Sequence, residues 1–155
     1  MKTNNFQPII NNLSKKYEIE TGRMPQNIEQ DIQKLIEKCP NIAYCPDFLD
    51  FERQFGGFLM YLDKGDFSLY SINSPDIFPM LTGEGDLIDE DGFMCMADYC
   101  ENITEGKEMN SMAWAYKVDE LPKNQKIYCK IKSKNWEIAY QNFTEMLENL
   151  GEDMF

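Results

Sequence analysis

The chain has no histidine among its 155 residues, and that absence excludes more than any residue present. Ser-His-Asp and Cys-His nucleophile systems, histidine acid–base pairs and most transition-metal centres need an imidazole that titrates near neutral pH. A catalytic reading is left with paired carboxylates or lysine. Long apolar runs are missing too: Phe58 to Leu62, which no other run exceeds, falls far short of the roughly 20 residues that cross a bilayer. The opening M-K-T-N-N-F-Q-P-I-I has neither an apolar core of signal length nor a small-residue cleavage site, so a cytoplasmic location is expected. The five cysteines, Cys39, Cys45, Cys95, Cys100 and Cys129, are then expected as reduced thiols that behave as small hydrophobes. Five residues lie between the first two and four between Cys95 and Cys100, which are not the tight pairs of a structural zinc site. No metal and no cofactor is expected.

Basic residues are missing from one long stretch. Between Lys64 and Lys107 there is no lysine or arginine, while Asp66, Asp76, Glu84, Asp86, Asp89, Glu90, Asp91, Asp98, Glu101 and Glu105 all fall there. The next segment reverses sign: Lys107, Lys117, Lys123, Lys126, Lys130, Lys132 and Lys134 stand against Glu108, Asp119 and Glu120. With a net charge of −12, the field repels nucleic acid and anionic lipid and speeds encounter with a basic partner. The plainer alternative is that the charge only keeps the protein soluble.

What is there suits one domain, because a chain of this length buries roughly two thirds of its unfolded surface without disulfide or metal staples. Phe6, Ile9, Ile10, Leu13 and Tyr17 repeat at helical spacing, which predicts a first helix ending near Thr21-Gly22. A second helix follows Pro25, with Asn27 and Gln30 as a capping box, and stops at Cys39-Pro40. Pro46-Asp47 opens a third, with Phe48, Phe51 and Phe55 on its buried side. F-L-M-Y-L, D-K-G-D and F-S-L-Y-S-I then predict a hairpin whose turn glycine, Gly65, takes positive φ. Ser74 to Gly85 reads as a loop, Gly92 to Met96 as a short strand, and Ala113 to Val118 as a strand with Trp114 and Tyr116 on one face. Ile127, Cys129 and Ile131 alternate with lysines, which predicts a strand with a wet, basic face. A last helix is read through Trp136, Tyr140, Phe143, Met146, Leu147 and Leu150, capped by Ser133 or Asn135 and ended by Gly151. The order predicts an α+β fold: an antiparallel or mixed sheet flanked by N-terminal helices and a C-terminal helix.

Candidate sites follow from the same residues. Gly56-Gly57 lacks the strand-before, helix-after order and the lysine of a phosphate loop, and instead reads as a left-handed helix stop from which a strand departs. The loop G-E-G-D-L-I-D-E-D-G, Gly83 to Gly92, has the composition of a calcium site but not the residue order. No second element supplies the cleft a pair of catalytic carboxylates needs. The remaining functional reading is an acidic surface for a basic protein, with Glu84, Asp86, Asp89, Glu90, Asp91, Asp98 and Glu101 as candidate contacts. Phe78, Met80, Leu81, Phe93, Met94 and Met96 serve this loop either as apolar anchors or as core. Met109 to Tyr116 is either a contact surface or core, and the alternation of Trp114 and Tyr116 favours core.

The start Pro46-Asp47-Phe48, the turn and a half that follows, and Phe55-Gly56-Gly57 entering a hairpin together resemble the SUKH superfamily. So does a final segment bearing Trp136, Ala139, Phe143, Met146, Leu147 and Leu150. The resemblance runs from about Ile28 to Leu150, with Pro46, Phe55, Gly56, Gly57, Trp136 and Phe143 as its signature. Cys45 stands where that family has leucine, and phenylalanine replaces a tryptophan often found before the glycines. Members of the superfamily are mostly bacterial immunity proteins that bind and neutralise secreted toxins, many of them nucleases with basic grooves. The resemblance implies a non-catalytic protein with a protein partner; no binding residue carries over, because partner surfaces vary with the toxin. The alternatives are a regulatory or scaffold module without a toxin, and a histidine-free enzyme whose carboxylates would share a pocket.

Overall fold

A computed structural model of the chain describes residues 5–21, 28–72, 87–102, 111–132 and 134–152. Seven strands lie side by side in chain order, every neighbouring pair antiparallel: β1 (Glu18–Thr21), β2 (Phe58–Tyr61), β3 (Gly65–Leu69), β4 (Phe93–Glu101), β5 (Ser111–Lys117), β6 (Ile127–Ile131) and β7 (Glu137–Tyr140). Among the described residues four α-helices accompany them, α1 (Gln7–Ser14), α2 (Ile28–Lys38), α3 (Pro46–Phe55) and α4 (Phe143–Glu148). The α+β class is as the sequence indicates, and within the described residues the sheet is antiparallel throughout.

Local signals built α3 and its exit. Pro46 fits the first helical turn, where its missing N–H has no partner to lose. Phe48, Phe51 and Phe55 recur on one face and are buried. Gly56 ends the helix in the left-handed region at φ 64°, its N–H donating to the Glu52 carbonyl at 2.8 Å. Gly57 follows at φ 80°, where an added Cβ would meet the Leu69 carbonyl oxygen at 2.6 Å. The phenylalanines join one cluster: the Phe51 ring lies 5.5 Å from both Phe6 and Phe143 and 5.6 Å from Phe58, tying α1, α4 and β2 to α3. On the sheet, Met60, Phe67, Tyr99, Trp114 and Ile127 complete this core.

Four expectations are corrected. The first helix stops at Ser14, and Glu18–Thr21 is edge strand β1, because Ile19 and Thr21 alternate at period two and pair with β2. Trp136, Ala139 and Tyr140 are not helical: Glu137–Tyr140 pairs with β6, and α4 is capped by Asn142, whose side chain accepts from the Glu145 N–H at 2.8 Å, rather than by Ser133 or Asn135. Gly65 has no positive φ. It opens β3, where a Cβ would run into the Cys100 carbonyl oxygen, so close strand packing rather than turn geometry calls for glycine. Finally, the strand at Gly92–Met96 extends nine residues, through Glu101. The Asn27 cap, the 74–85 loop and Ser133 lie outside the described residues.

Candidate functional site

The register fixes what each face of the sheet presents. Met60, Phe67, Tyr99, Met112 and Trp114 point toward the helices, so side chains one position along point the other way. One row of this outer face runs Glu20, Leu59, Ser68, Asp98, Ala113, Lys130 across β1 to β6. The next row brings Glu18, Tyr61, Asp66, Cys100 and Ser111 together across β1 to β5. Carboxylates thus stand on β1, β3 and β4, with Leu59 and Tyr61 of β2 among them. Glu18, Glu20, Leu59 and Asp66 are exposed, and none of the ion pairs among the described residues involves Glu18, Glu20, Asp66 or Asp98. Tyr61 donates its hydroxyl to Glu20 at 2.9 Å. A polar groove of about 490 Å³ lined by Lys16, Glu18, Tyr61, Asp63 and Lys64 opens at the edge of this patch.

Among the described residues, the acids singled out in the sequence do not form one patch. Glu84 and Asp86 lie outside the described residues, as do Phe78, Met80 and Leu81. Asp89 braces its own turn, Oδ1 accepting from the N–H groups of Asp91 and Phe93 at 2.9 Å each, and this leaves Glu90 and Asp91 exposed at the start of β4. Asp98 sits mid-strand on the outer face and Glu101 at the far end beside Gly65. Nine residues of extended chain put roughly 25–30 Å between the turn and Glu101. Glu18 and Glu20 were missed because they were assigned to a helix; the alternation in E-I-E-T was the signal that could have found them. Met94, Met96, Trp114 and Tyr116 are buried, so they are core rather than contact residues.

The basic half of the same face is organised by aromatic rings. Trp136 stacks on Phe93 at 4.9 Å, and Tyr128 meets Phe93 edge-on at 5.2 Å. Lys117 Nζ lies 5.8 Å from the Phe93 ring centre and Lys130 Nζ 5.7 Å from that of Trp136, both within cation–π range. The Tyr128 hydroxyl donates to Glu120 at 2.6 Å, and that bond pushes its pKa up to about 12. This is the wet, basic side expected of β6, with Lys130 its outward lysine.

Among the described residues two carboxyls are held more protonated than usual, and they lie on opposite sides of the sheet. Desolvation raises Asp98 despite the Tyr70 hydroxyl donated to it at 2.7 Å. Glu52, on α3, is fully buried with neither carboxyl oxygen hydrogen-bonded among the described residues, and burial pushes its pKa far up, opposed by the nearby Ile72 backbone. The two therefore do not share a site. Burial also keeps Cys45 protonated, with a pKa of about 12, and holds Cys95 and Cys129 at about 11. Among the described residues no three histidine, cysteine or acidic side chains converge as metal ligands would.

Glu52 carries a testable pH effect. Folded, its carboxyl keeps a proton that the unfolded chain loses above the ordinary pKa of 4.5, so stability should fall as pH rises past that value. The slope expected is about 1.4 kcal/mol per pH unit until the folded-state pKa is reached. Glu52→Gln should remove it, and urea melts of both proteins from acid to mildly alkaline pH check this; parallel pH profiles would contradict it.

Compared with known protein families, with curated proteins and with solved structures, the chain matches none. Among the described residues no helix is long and apolar enough to cross a membrane.

Proposed function

We propose that this chain is a non-catalytic binding protein of the cytoplasm that neutralises a secreted toxin by occluding a basic surface on it. The observation that carries the reading is the outer face of β1 to β4, where Glu18, Glu20, Asp66 and Asp98 surround Leu59 and Tyr61 without a cation paired to them among the described residues. Unneutralised carboxylates steer a basic partner in, and an apolar centre supplies the short-range contact that holds it. The segregated charge of the sequence and its resemblance to SUKH immunity proteins support the same reading. The exposed Glu90 and Asp91 turn extends the negative field beyond the start of β4.

The test begins with the genes beside this one. If one encodes a long secreted protein, its C-terminal domain is to be expressed with and without this chain. The expected result is a stoichiometric complex and loss of toxicity on co-expression. Toxicity that persists alongside the folded chain, or flanking genes with no such protein, would favour a regulatory module instead.

A further inference from the structure

The ladder between β1 and β2 stops at one point, and a groove opens there. Glu18 pairs with Tyr61, so continuing the antiparallel register would set Tyr17 against Leu62 and Lys16 against Asp63. Both backbones turn away instead. The N–H groups of Lys16 and Tyr17 donate back to the Leu13 carbonyl at 3.0 and 2.8 Å, and the Leu62 N–H donates to the Gly65 carbonyl at 2.9 Å within the β2–β3 turn. Between them lies the groove of about 490 Å³, inside the roughly 300–1,000 Å³ range of small-molecule sites. Tyr17, Tyr61 and Leu62 give it an aromatic and apolar lining. The turn after α4 seats one of these rings: at Gly151, φ 87°, an added Cβ would meet Tyr17 Cζ at 2.6 Å.

Charges of both signs line the groove, and none pairs with another in it. One wall supplies Lys16 and Glu18, the other Asp63 and Lys64. Lys16 makes only a 4.0 Å contact with Glu152, and Glu18, Asp63 and Lys64 enter no ion pair among the described residues. An anion drawn to the lysines meets the carboxylates, and a cation drawn to the carboxylates meets the lysines. A molecule that carries both charges satisfies both, and the rings cover its body. We propose that this groove binds a small zwitterion, a free amino acid or a short peptide with both termini charged. Its carboxylate lies on Lys16 and its ammonium on Asp63, the two side chains that the interrupted register leaves facing each other across the gap. This inference goes beyond the proposed function and needs no toxin.

Two-dimensional amide NMR on the full chain tests it. The probes are free phenylalanine and the dipeptide Ala-Phe, with N-acetyl-phenylalanine amide, which keeps the ring and loses both charges, as the control. The expected result is saturable movement of the Lys16, Tyr17, Lys64 and Gly151 signals by at least one zwitterion, with a dissociation constant of about 5 mM or below. The tighter of the two probes assigns the source, amino acid or peptide. Lys16→Gln and Asp63→Asn, both at exposed positions, should each weaken that binding about tenfold, the loss expected for one charge-assisted contact. Shifts that do not saturate with either zwitterion by about 20 mM, well above millimolar affinity, overturn the proposal. So does a control that binds as tightly as the zwitterions, which would make the groove an apolar site alone. An affinity unchanged by both substitutions overturns it too, because the ligand would then lie elsewhere.

Discussion

Phe51→Ala is expected to destabilise the fold by about 3–5 kcal/mol, the range for removing a fully buried phenylalanine from a packed core. The ring touches Phe6 of the segment leading into α1, Phe55 of its own helix, Phe58 of β2 and Phe143 of α4, with centroids 4.9 to 5.6 Å apart. Four elements therefore lose a common contact at once, and the surrounding rings, fixed by the backbone of different elements, cannot collapse far into the space. Urea denaturation gives the number directly. A loss below about 1 kcal/mol would mean that the helices repack freely on the sheet, against the rigid, jigsaw packing of protein interiors.

Gly57→Ala should also be severe, at about 2 kcal/mol or more, for two separate reasons. At φ 80° an alanine is strained by roughly 1–3 kcal/mol wherever it sits. Its Cβ would additionally overlap the Leu69 carbonyl oxygen, 2.6 Å away, and approach the Ser71 nitrogen at 3.0 Å. Both neighbours are backbone, so relief requires β3 to move away from the helix exit. A melt that leaves Gly57→Ala within about 0.5 kcal/mol of the parent, the range of an ordinary surface change, would contradict this.

These two residues are also where the sequence was most legible. The proline, the phenylalanine spacing and the glycine pair act within a dozen residues, and each has a local physical meaning that no partner can change. The edge strands were hidden for the opposite reason. Tyr17 continues the helical spacing of Phe6, Ile10 and Leu13, and Trp136, Tyr140 and Phe143 have helical spacing too, yet four residues at each place gain more by pairing with β2 or β6. That gain resides in the partner strand. Part of the candidate site was lost with β1, since only once Glu18 and Glu20 are placed on a strand do they stand on one face with Asp66 and Asp98. Asp98 was found as a member of an acidic run, but its companions on the face are neighbours across strands. The apolar residues around the acidic loop were read two ways: of those described, Met94 and Met96 turned inward because the core face of β4 needed them, while Phe93 stands on the outer face under Trp136.

The central claim is that the outer face of β1 to β4 recruits a basic toxin electrostatically. Its most direct test is the association rate of the neighbouring toxin domain with the parent chain and with a Glu18→Gln, Glu20→Gln, Asp66→Asn variant, measured from about 0.05 to about 0.5 M salt, a range over which the Debye length shrinks severalfold. These positions are exposed, so the fold should be unchanged. The account predicts association at least tenfold slower for the variant at low salt, a flattened salt dependence, and rates that converge at high salt. Equal rates and equal salt slopes for the two proteins would place the contact elsewhere and contradict it.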